Sequence, residues 1–101
     1  MKERFIEAIK KAASEFINVE SNRRSMITVT SVHLDKRGSL VDIFVSVFPE
    51  TGTQAATDFL NRNRDEFKKY LKKHVSLRNI PRVRFYADPV VGGTIEEVEK
   101  T

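Results

Sequence analysis

Basic side chains are concentrated between positions 62 and 84 of this 101-residue chain. That segment holds nine Lys or Arg residues and two acidic ones, a local charge of +7, whereas the whole chain carries +4. The nine are Arg62, Arg64, Lys68, Lys69, Lys72, Lys73, Arg78, Arg82 and Arg84. Cations held in a fixed arrangement bind the phosphates of a nucleic acid, because each phosphate contact releases condensed counterions. The concentration therefore favours a nucleic-acid partner.

Four lysines of this segment have the spacing of one helix face. At 100° per residue, Lys68, Lys69, Lys72 and Lys73 fall on the side of a helix that points away from Phe67. A surface that serves solubility alone normally mixes both signs of charge. Like charges four residues apart also weaken a helix. An anionic partner offsets that repulsion, so we expect these lysines to contact phosphates.

Further candidates for RNA binding lie beside the lysines and in one earlier loop. They are Arg62, Asn63, Arg64, Arg78, Arg82, Arg23 and Arg24. The first three fall at an interruption of the helical pattern, the next two near the turn before the last predicted strand, and the last two in a polar segment. Arg78 has a second interpretation, an ion pair with a carboxylate that holds the turn, and the sequence leaves both open.

Enzymatic chemistry has little support in these residues. The chain has no cysteine, which excludes disulfides, thiolate metal sites and cysteine nucleophiles. Neither GxGxxG nor GxxxxGK[ST] occurs, and the glycine-rich anion loop that an acylphosphatase-like enzyme needs is missing. His33 falls in a predicted strand, and we expect His74 to be a partly buried core residue. We therefore predict a protein that is not an enzyme and has no cofactor, no metal and no small-molecule substrate.

Composition fits an ordinary soluble globular domain, with 40% hydrophobic and 32% charged residues. No apolar run approaches the ~20 residues that span a bilayer, and charged residues interrupt the apolar positions of the N-terminal segment. We expect no secretory signal, no membrane association and a cytoplasmic location.

Phe44 and Tyr86 are candidates for stacking on an open sheet face. Phosphate contacts and RNA shape are favoured over base stacking, because the core needs most of the seven Phe.

The hydrophobic patterns predict the elements that position these residues. Apolar residues recur at helical spacing over 5–17, and strands are predicted over 26–34 and 40–48 with a hairpin connection between them. A helical region follows over 54–75, but its apolar stripe fails at Asn63, three residues before Glu66, as in a capping box. We predict two helices that meet near 61–65, with Asn63 capping the second; one continuous helix with a polar intrusion is the alternative. The last strand is predicted over 82–88, and residues 90–101 form an acidic, flexible tail.

Three segments carry recognisable motifs: 26–32 (MITVTSV), 41–47 (VDIFVSV) and 77–88 (LRNIPRVRFYAD). Together they resemble motifs of the bacterial ribosome-binding factor A family, and the match extends over roughly residues 3–98. The segment 26–32 is similar to that family's first strand, ITIT-x-V, and 41–47 to its A-x-V-Y-V-S run. The most specific match is 77–88, which follows LR-x-(I/V)P-x-(L/V)-x-F-x-x-D. The family usually has Ala-x-Gly at its interhelical kink, where this chain has Asn63, Arg64 and Asp65.

The resemblance implies an α+β fold, a type II KH-like domain of order α-β-β-α-kink-α-β, with helices packed on one face of a three-stranded sheet. That domain would occupy residues 1–89. It also implies a non-catalytic factor that binds ribosomal RNA on the precursor small ribosomal subunit during late maturation and rRNA processing. We expect a monomer. The alternative from another class is a KH-like adaptor that binds a protein through an open sheet edge or the acidic tail, without direct RNA contact.

Overall fold

The computed structural model describes residues 2–20, 25–76 and 79–89. In chain order the elements are α1 (Lys2–Glu20), β1 (Met26–Leu34), β2 (Leu40–Phe48), a short 3₁₀ turn (Glu50–Gly52), α2 (Thr53–Arg62), α3 (Arg64–His74) and β3 (Arg82–Ala87). This is the predicted α+β order, and the interrupted stripe did mark a boundary between two helices. The predicted tail, 90–101, lies outside the described residues.

The three strands form one sheet with β2 in the centre. β1 pairs with β2 antiparallel, and β3 pairs with β2 parallel. Val41, Ile43, Val45 and Val47 of β2 are all buried, because alternate residues of a strand point to the same face. Asp42 and the other even-numbered residues of β2 point to the opposite face. The expectation of one buried and one open face is therefore confirmed.

The helices cover the buried face of the sheet and complete one core. Ile9, Phe16 and their neighbours on the α1 stripe are buried, as the spacing predicted. Phe67 of α3 is fully buried between Phe16 and Phe85, with ring-centroid distances of 5.3 and 5.6 Å. Burial of such a side chain contributes about 2–3 kcal/mol. It also fixes the rotation of α3, and hence the direction in which its lysines point.

The β1–β2 connection is closed by one carboxylate. Asp35 accepts hydrogen bonds from the Ser39 N–H (2.7 Å), the Ser39 hydroxyl (2.9 Å) and the Leu40 N–H (3.1 Å). Gly38 takes a φ of +70°, a conformation that side chains disfavour. Desolvation raises the pKa of Asp35, but the bonds from Leu40, Ser39 and Gly38 lower that pKa by more, to below its ordinary value of 3.8.

Asn63 joins α2 to α3, but its side chain does not cap α3. No hydrogen bond runs from that side chain to the first turn of α3. Instead its Nδ2 donates to the carbonyl oxygen of Phe59 at 2.7 Å, one turn back in α2. The predicted N-cap was therefore wrong in direction, because the free carbonyls at the end of α2 compete for the same amide. The carbonyl of Asn63 still begins α3 by accepting from the Phe67 N–H at 3.0 Å.

Candidate nucleic-acid interface

Packing of α3 decides which of its side chains reach solvent. Phe67 and Leu71, four residues apart, are both fully buried against the core. On the other side of the helix Lys69, Lys72 and Lys73 are exposed, whereas Lys68 is half-buried at the edge of that surface. We call these four lysines the α3 basic face. The predicted arrangement is present, with Lys68 closer to the core than expected.

Little within the described fold neutralises the α3 basic face. Lys69 lies 3.3 Å from Glu66, but both side chains are largely exposed, at 75% and 60%, so this pair contributes little. Lys68, Lys72 and Lys73 have no ion pair among the described residues. Lys72 and Lys73 occupy the last turn of the helix, where the helix dipole favours positive charge. The dipole offsets part of the repulsion between the lysines and leaves them available to an anion.

The kink presents a different, mixed-charge surface. Arg62 and Arg64 are exposed and line a cleft of about 490 Å³ together with Asn61, Asp58 and Asp65. Arg64 Nε donates to the Asn61 carbonyl at 3.0 Å, so this guanidinium is partly engaged in the fold. The two carboxylates reduce the positive charge here. The kink residues therefore lie beside the α3 basic face but attract phosphates less.

Basic residues of β3 lie on another side of the molecule. Val83 and Phe85 face the core, so Arg82 and Arg84 point to the open face of the sheet, opposite the helices. Arg84 donates to Asp42 at 3.0 Å, and this bond raises the pKa of Arg84. The +7 segment is thus divided between two surfaces, and the structure does not bring Arg82 to the lysines. Arg23, Arg24 and Arg78 lie outside the described residues.

A groove runs along the α3 basic face, between α3 and the end of α1. Its volume is about 450 Å³, and it is lined by Phe16, Val19 and Tyr70 as well as by lysines of the basic face. The Tyr70 hydroxyl donates to Glu15 at 3.2 Å. Desolvation and the nearby Glu15 carboxylate raise the pKa of Tyr70. His74 is exposed and stacks on the Tyr70 ring at 4.1 Å, so the expectation of a partly buried core histidine was wrong.

Asn61 is a structural residue that the sequence pattern did not reveal. Its amide nitrogen donates to the carbonyl oxygen of Phe85, and its amide oxygen accepts from the N–H of Phe85, both at 3.0 Å. A single side chain thus satisfies both polar groups of one residue on the outer edge of β3. It ties α2 to β3 close to the kink. A polar residue near a predicted helix end was the one available signal, and it did not specify a partner 24 residues away.

Other kinds of site receive no support from the described parts of the chain. Within 2–20, 25–76 and 79–89, no helix has the length and apolarity to cross a membrane. Over the same ranges no group of three or more His, Asp or Glu side chains is placed to hold a metal ion.

A small α+β domain with one cationic helix surface is typical of nucleic-acid-binding modules. The family model for Ribosome-binding factor A matches residues 1–100 of this chain. The chain therefore belongs to the ribosome-binding factor A family, and the resemblance noted in its three motifs is confirmed. That name describes a ribosome-binding factor rather than an enzyme.

Curated relatives carry the same name. Ribosome-binding factor A of Thermus thermophilus is 32% identical over 78 residues, a match to 76% of this chain and 80% of that protein. Ribosome-binding factor A of Dichelobacter nodosus is 30% identical over 78 residues, a match to 73% of this chain. The second alignment spans 64% of the Dichelobacter protein, which is less than two thirds of its length.

Solved structures of similar proteins share the fold. The crystal structure of ribosome-binding factor A from Thermus thermophilus has a TM-score of 0.76 at 29% identity and covers 84% of this chain and 93% of that one. A Thermotoga maritima solution structure, described as a putative ribosome binding factor A, has a TM-score of 0.73, covers 91% of both chains and, at 24% identity, supports the fold alone. A homology model of the Thermus thermophilus factor, fitted into the cryo-EM map of a 30S–RbfA complex, has a TM-score of 0.66 at 32% identity. It covers 76% of this chain and 84% of that one.

Proposed function

We propose that this protein is a non-catalytic assembly factor that binds the precursor small ribosomal subunit during late maturation and rRNA processing. Family membership supports the ribosomal partner, and the Thermus thermophilus relative fitted into a 30S complex points to the small subunit. The proposed site of action is the cytoplasm, where such precursors mature. The function requires neither a cofactor nor a small-molecule substrate.

The observation that carries this proposal is the α3 basic face. Lys72 and Lys73 are exposed, unpaired within the described chain and held on a helix whose rotation the buried Phe67 fixes. Binding of phosphates to these lysines requires no rearrangement of the helix backbone, only ordering of their side chains. Lys69 joins them when its weak pair with Glu66 opens, and Lys68 contributes at the edge. In this proposal the four lysines contact successive phosphates of ribosomal RNA.

The remaining predicted RNA contacts are secondary in this proposal. Arg62, Asn63 and Arg64 extend the basic face toward the kink, where Asp58 and Asp65 limit the local charge. The side-chain amide of Asn63 donates one N–H within the fold, which leaves its side-chain carbonyl oxygen for a ligand. Arg82 would contact RNA from the open face of the sheet. Arg23, Arg24 and Arg78 remain predictions from the sequence.

We further propose that residues 1–89 act as a monomeric, KH-like RNA-binding domain; the predicted tail, 90–101, lies outside the described residues. The adaptor alternative is less well supported. A strand edge recruits a partner through free N–H and C=O groups, but Asn61 already occupies those of Phe85 on the β3 edge. No comparable observation favours a protein partner.

Sedimentation of the tagged protein through a sucrose gradient tests the proposed function. We expect co-migration with free small subunits and their precursors but not with translating ribosomes. RNase treatment of the lysate should release the protein. Protein that stays at the top of the gradient in untreated lysate contradicts the proposal, and a complex that survives complete RNA digestion favours the adaptor.

A further inference from the structure

The open face of the sheet carries a row of aromatic side chains on the side away from the helices. Phe44 of β2 and Tyr86 of β3 are direct partners in the parallel register, with ring centroids 5.6 Å apart. His33 of β1 contacts the Phe44 ring edge-on at 5.3 Å. Each of the three strands therefore contributes one ring to a continuous aromatic strip, in which His33 lies diagonally to the Phe44–Tyr86 pair because its own partner is Asp42. We call these three residues the aromatic row.

The aromatic row is accessible to a ligand. Tyr86 is 38% exposed, His33 is exposed and Phe44 is half-buried between them. The neighbours of Phe44 along the same face are small or polar, with Ser31 as its partner on β1 and Ser46 two residues further along β2. No large aliphatic side chain lies between these two serines and the Phe44 ring. The row is thus a shallow platform rather than part of a second core.

Cationic groups border the platform on β3. The guanidinium carbon of Arg84 lies over the Tyr86 ring, 5.5 Å from its centroid and in cation–π range. Asp42 holds that guanidinium in place with distances of 3.0 and 3.4 Å to two of its nitrogens. Arg82, two residues earlier on the same face, is exposed and has no ion pair among the described residues. Rings and an available cation on the same sheet face match the chemistry of a nucleic-acid strand, which combines flat bases with phosphates.

We propose that this sheet face binds single-stranded RNA, with bases stacked on Tyr86 and Phe44, His33 as a third contact and a phosphate at Arg82. A single strand is required because paired bases keep their faces within the helix, whereas unpaired bases are free to stack on aromatic side chains. A hydrophobic protein segment fits less well, since hydroxyl and arginine side chains surround the rings. This surface is separate from the α3 basic face, which lies on the opposite side of the sheet.

Tyrosine fluorescence reports directly on the proposed stacking. The chain has two tyrosines and no tryptophan, so Tyr70→Phe leaves Tyr86 as the single intrinsic reporter. Titration of that variant with a short single-stranded oligoadenylate should quench Tyr86 emission in a saturable way, with free tyrosine as the inner-filter control. An RNA duplex of equal charge should not quench it. The absence of quenching at saturation of the binding isotherm would overturn the proposal.

Affinity for the same oligonucleotide gives an independent measure. Tyr86→Ala should weaken binding about 5- to 150-fold, the usual effect of removing one stacked base, while Tyr86→Phe should keep most of the affinity. If Tyr86→Ala lowers thermal stability but binds as the wild type does, the rings only stabilise the sheet and the proposal is wrong. If this variant does not fold, the quenching experiment alone decides.

A last control separates the two surfaces. A triple variant combines Lys72→Gln and Lys73→Gln with Tyr70→Phe. This variant should retain the quenching of Tyr86 emission by the oligonucleotide. Quenching that disappears in this variant would locate the oligonucleotide on α3 and overturn the proposal. Since the test uses no ribosomal subunits, a failure of the proposed subunit binding leaves its outcome unaffected.

Discussion

Removal of the Asn61 side chain tests how the fold closes beside the kink. Asn61→Ala deletes two hydrogen bonds of 3.0 Å to the backbone of Phe85. Each bond contributes about 1 kcal/mol net, and an N–H or C=O left without a partner adds a penalty of up to about 1–3 kcal/mol. Alanine returns at most about 0.7 kcal/mol through its higher helix propensity. We therefore expect a loss of about 1.5–3 kcal/mol in the free energy of unfolding.

Urea denaturation and amide hydrogen exchange measure this effect together. The matched control is Asn18→Ala, the same substitution at an exposed position of α1, which should not lower stability and should raise it by at most about 0.7 kcal/mol through helix propensity. In Asn61→Ala the amide of Phe85 should exchange faster than in the wild type, beyond what the global loss explains, because its acceptor is gone. Stability within 0.5 kcal/mol of the wild type, with unchanged exchange at Phe85, would refute the role assigned to Asn61.

Two further predictions concern local hydrogen bonds. Asn63→Ala removes the 2.7 Å bond to the Phe59 carbonyl and should lower the free energy of unfolding by about 1 kcal/mol. An unchanged melting midpoint of this variant, with NMR shifts showing unbroken helix from 58 to 70, would contradict this. Because the pKa of Asp35 is lowered by folding, its carboxylate stabilises the protein above the ordinary value of 3.8, and this contribution is lost as the pH falls through the folded pKa. Asp35→Asn should therefore be less stable than the wild type at neutral pH, with a gap in melting midpoint that narrows below that value; a gap independent of pH would show that the ionised carboxylate is not what matters.

The spacing of apolar residues predicted the helices and strands, because each element buries the residues that recur on one of its faces. The alternation of Val41, Ile43 and Val45 marked the inner face of β2, and the helical spacing of α1 marked its buried stripe. The failure of the stripe at Asn63 located the kink. These features depend on which residues avoid water, and that preference is visible in the order of residue types.

The direction of individual polar side chains could not be predicted in the same way. The Asn63 side chain could bond to free carbonyls at the end of α2 or to free N–H groups at the start of α3, and in the structure it donates to the Phe59 carbonyl of α2. Asn61 finds its partner on a distant strand, so no local pattern announces the bond. His74 lies on the apolar side of the predicted helix, which suggested a place in the core, but in the structure its ring is exposed and stacks on Tyr70.

The candidate site was predicted in part. The α3 lysines share one face, as their spacing indicated, because Phe67 and Leu71 anchor the helix. Arg82 was grouped with them since it is close in sequence, yet strand alternation directs it to the open face of the sheet. The sequence also undervalued Phe44 and Tyr86, because the pairing register that aligns their rings is a property of the assembled sheet.

We expect the α3 basic face to bind ribosomal RNA through phosphates. The most direct test compares two double variants. One combines Lys72→Gln and Lys73→Gln; the other, the control, combines Lys36→Gln and Arg37→Gln and so removes two positive charges from the exposed hairpin turn. Both double variants should fold, because all four side chains are exposed. Affinity for purified precursor small subunits is then measured across a range of salt concentrations.

The slope of the logarithm of affinity against the logarithm of salt concentration counts phosphate contacts. Loss of two contacts should weaken binding at low salt and make that slope shallower by about 1.4–1.8, at roughly 0.7–0.9 per contact. The hairpin variant should keep both affinity and slope close to those of the wild type. If the folded Lys72→Gln/Lys73→Gln double variant keeps wild-type affinity and slope at low and moderate salt, the α3 basic face does not bind the phosphates of ribosomal RNA.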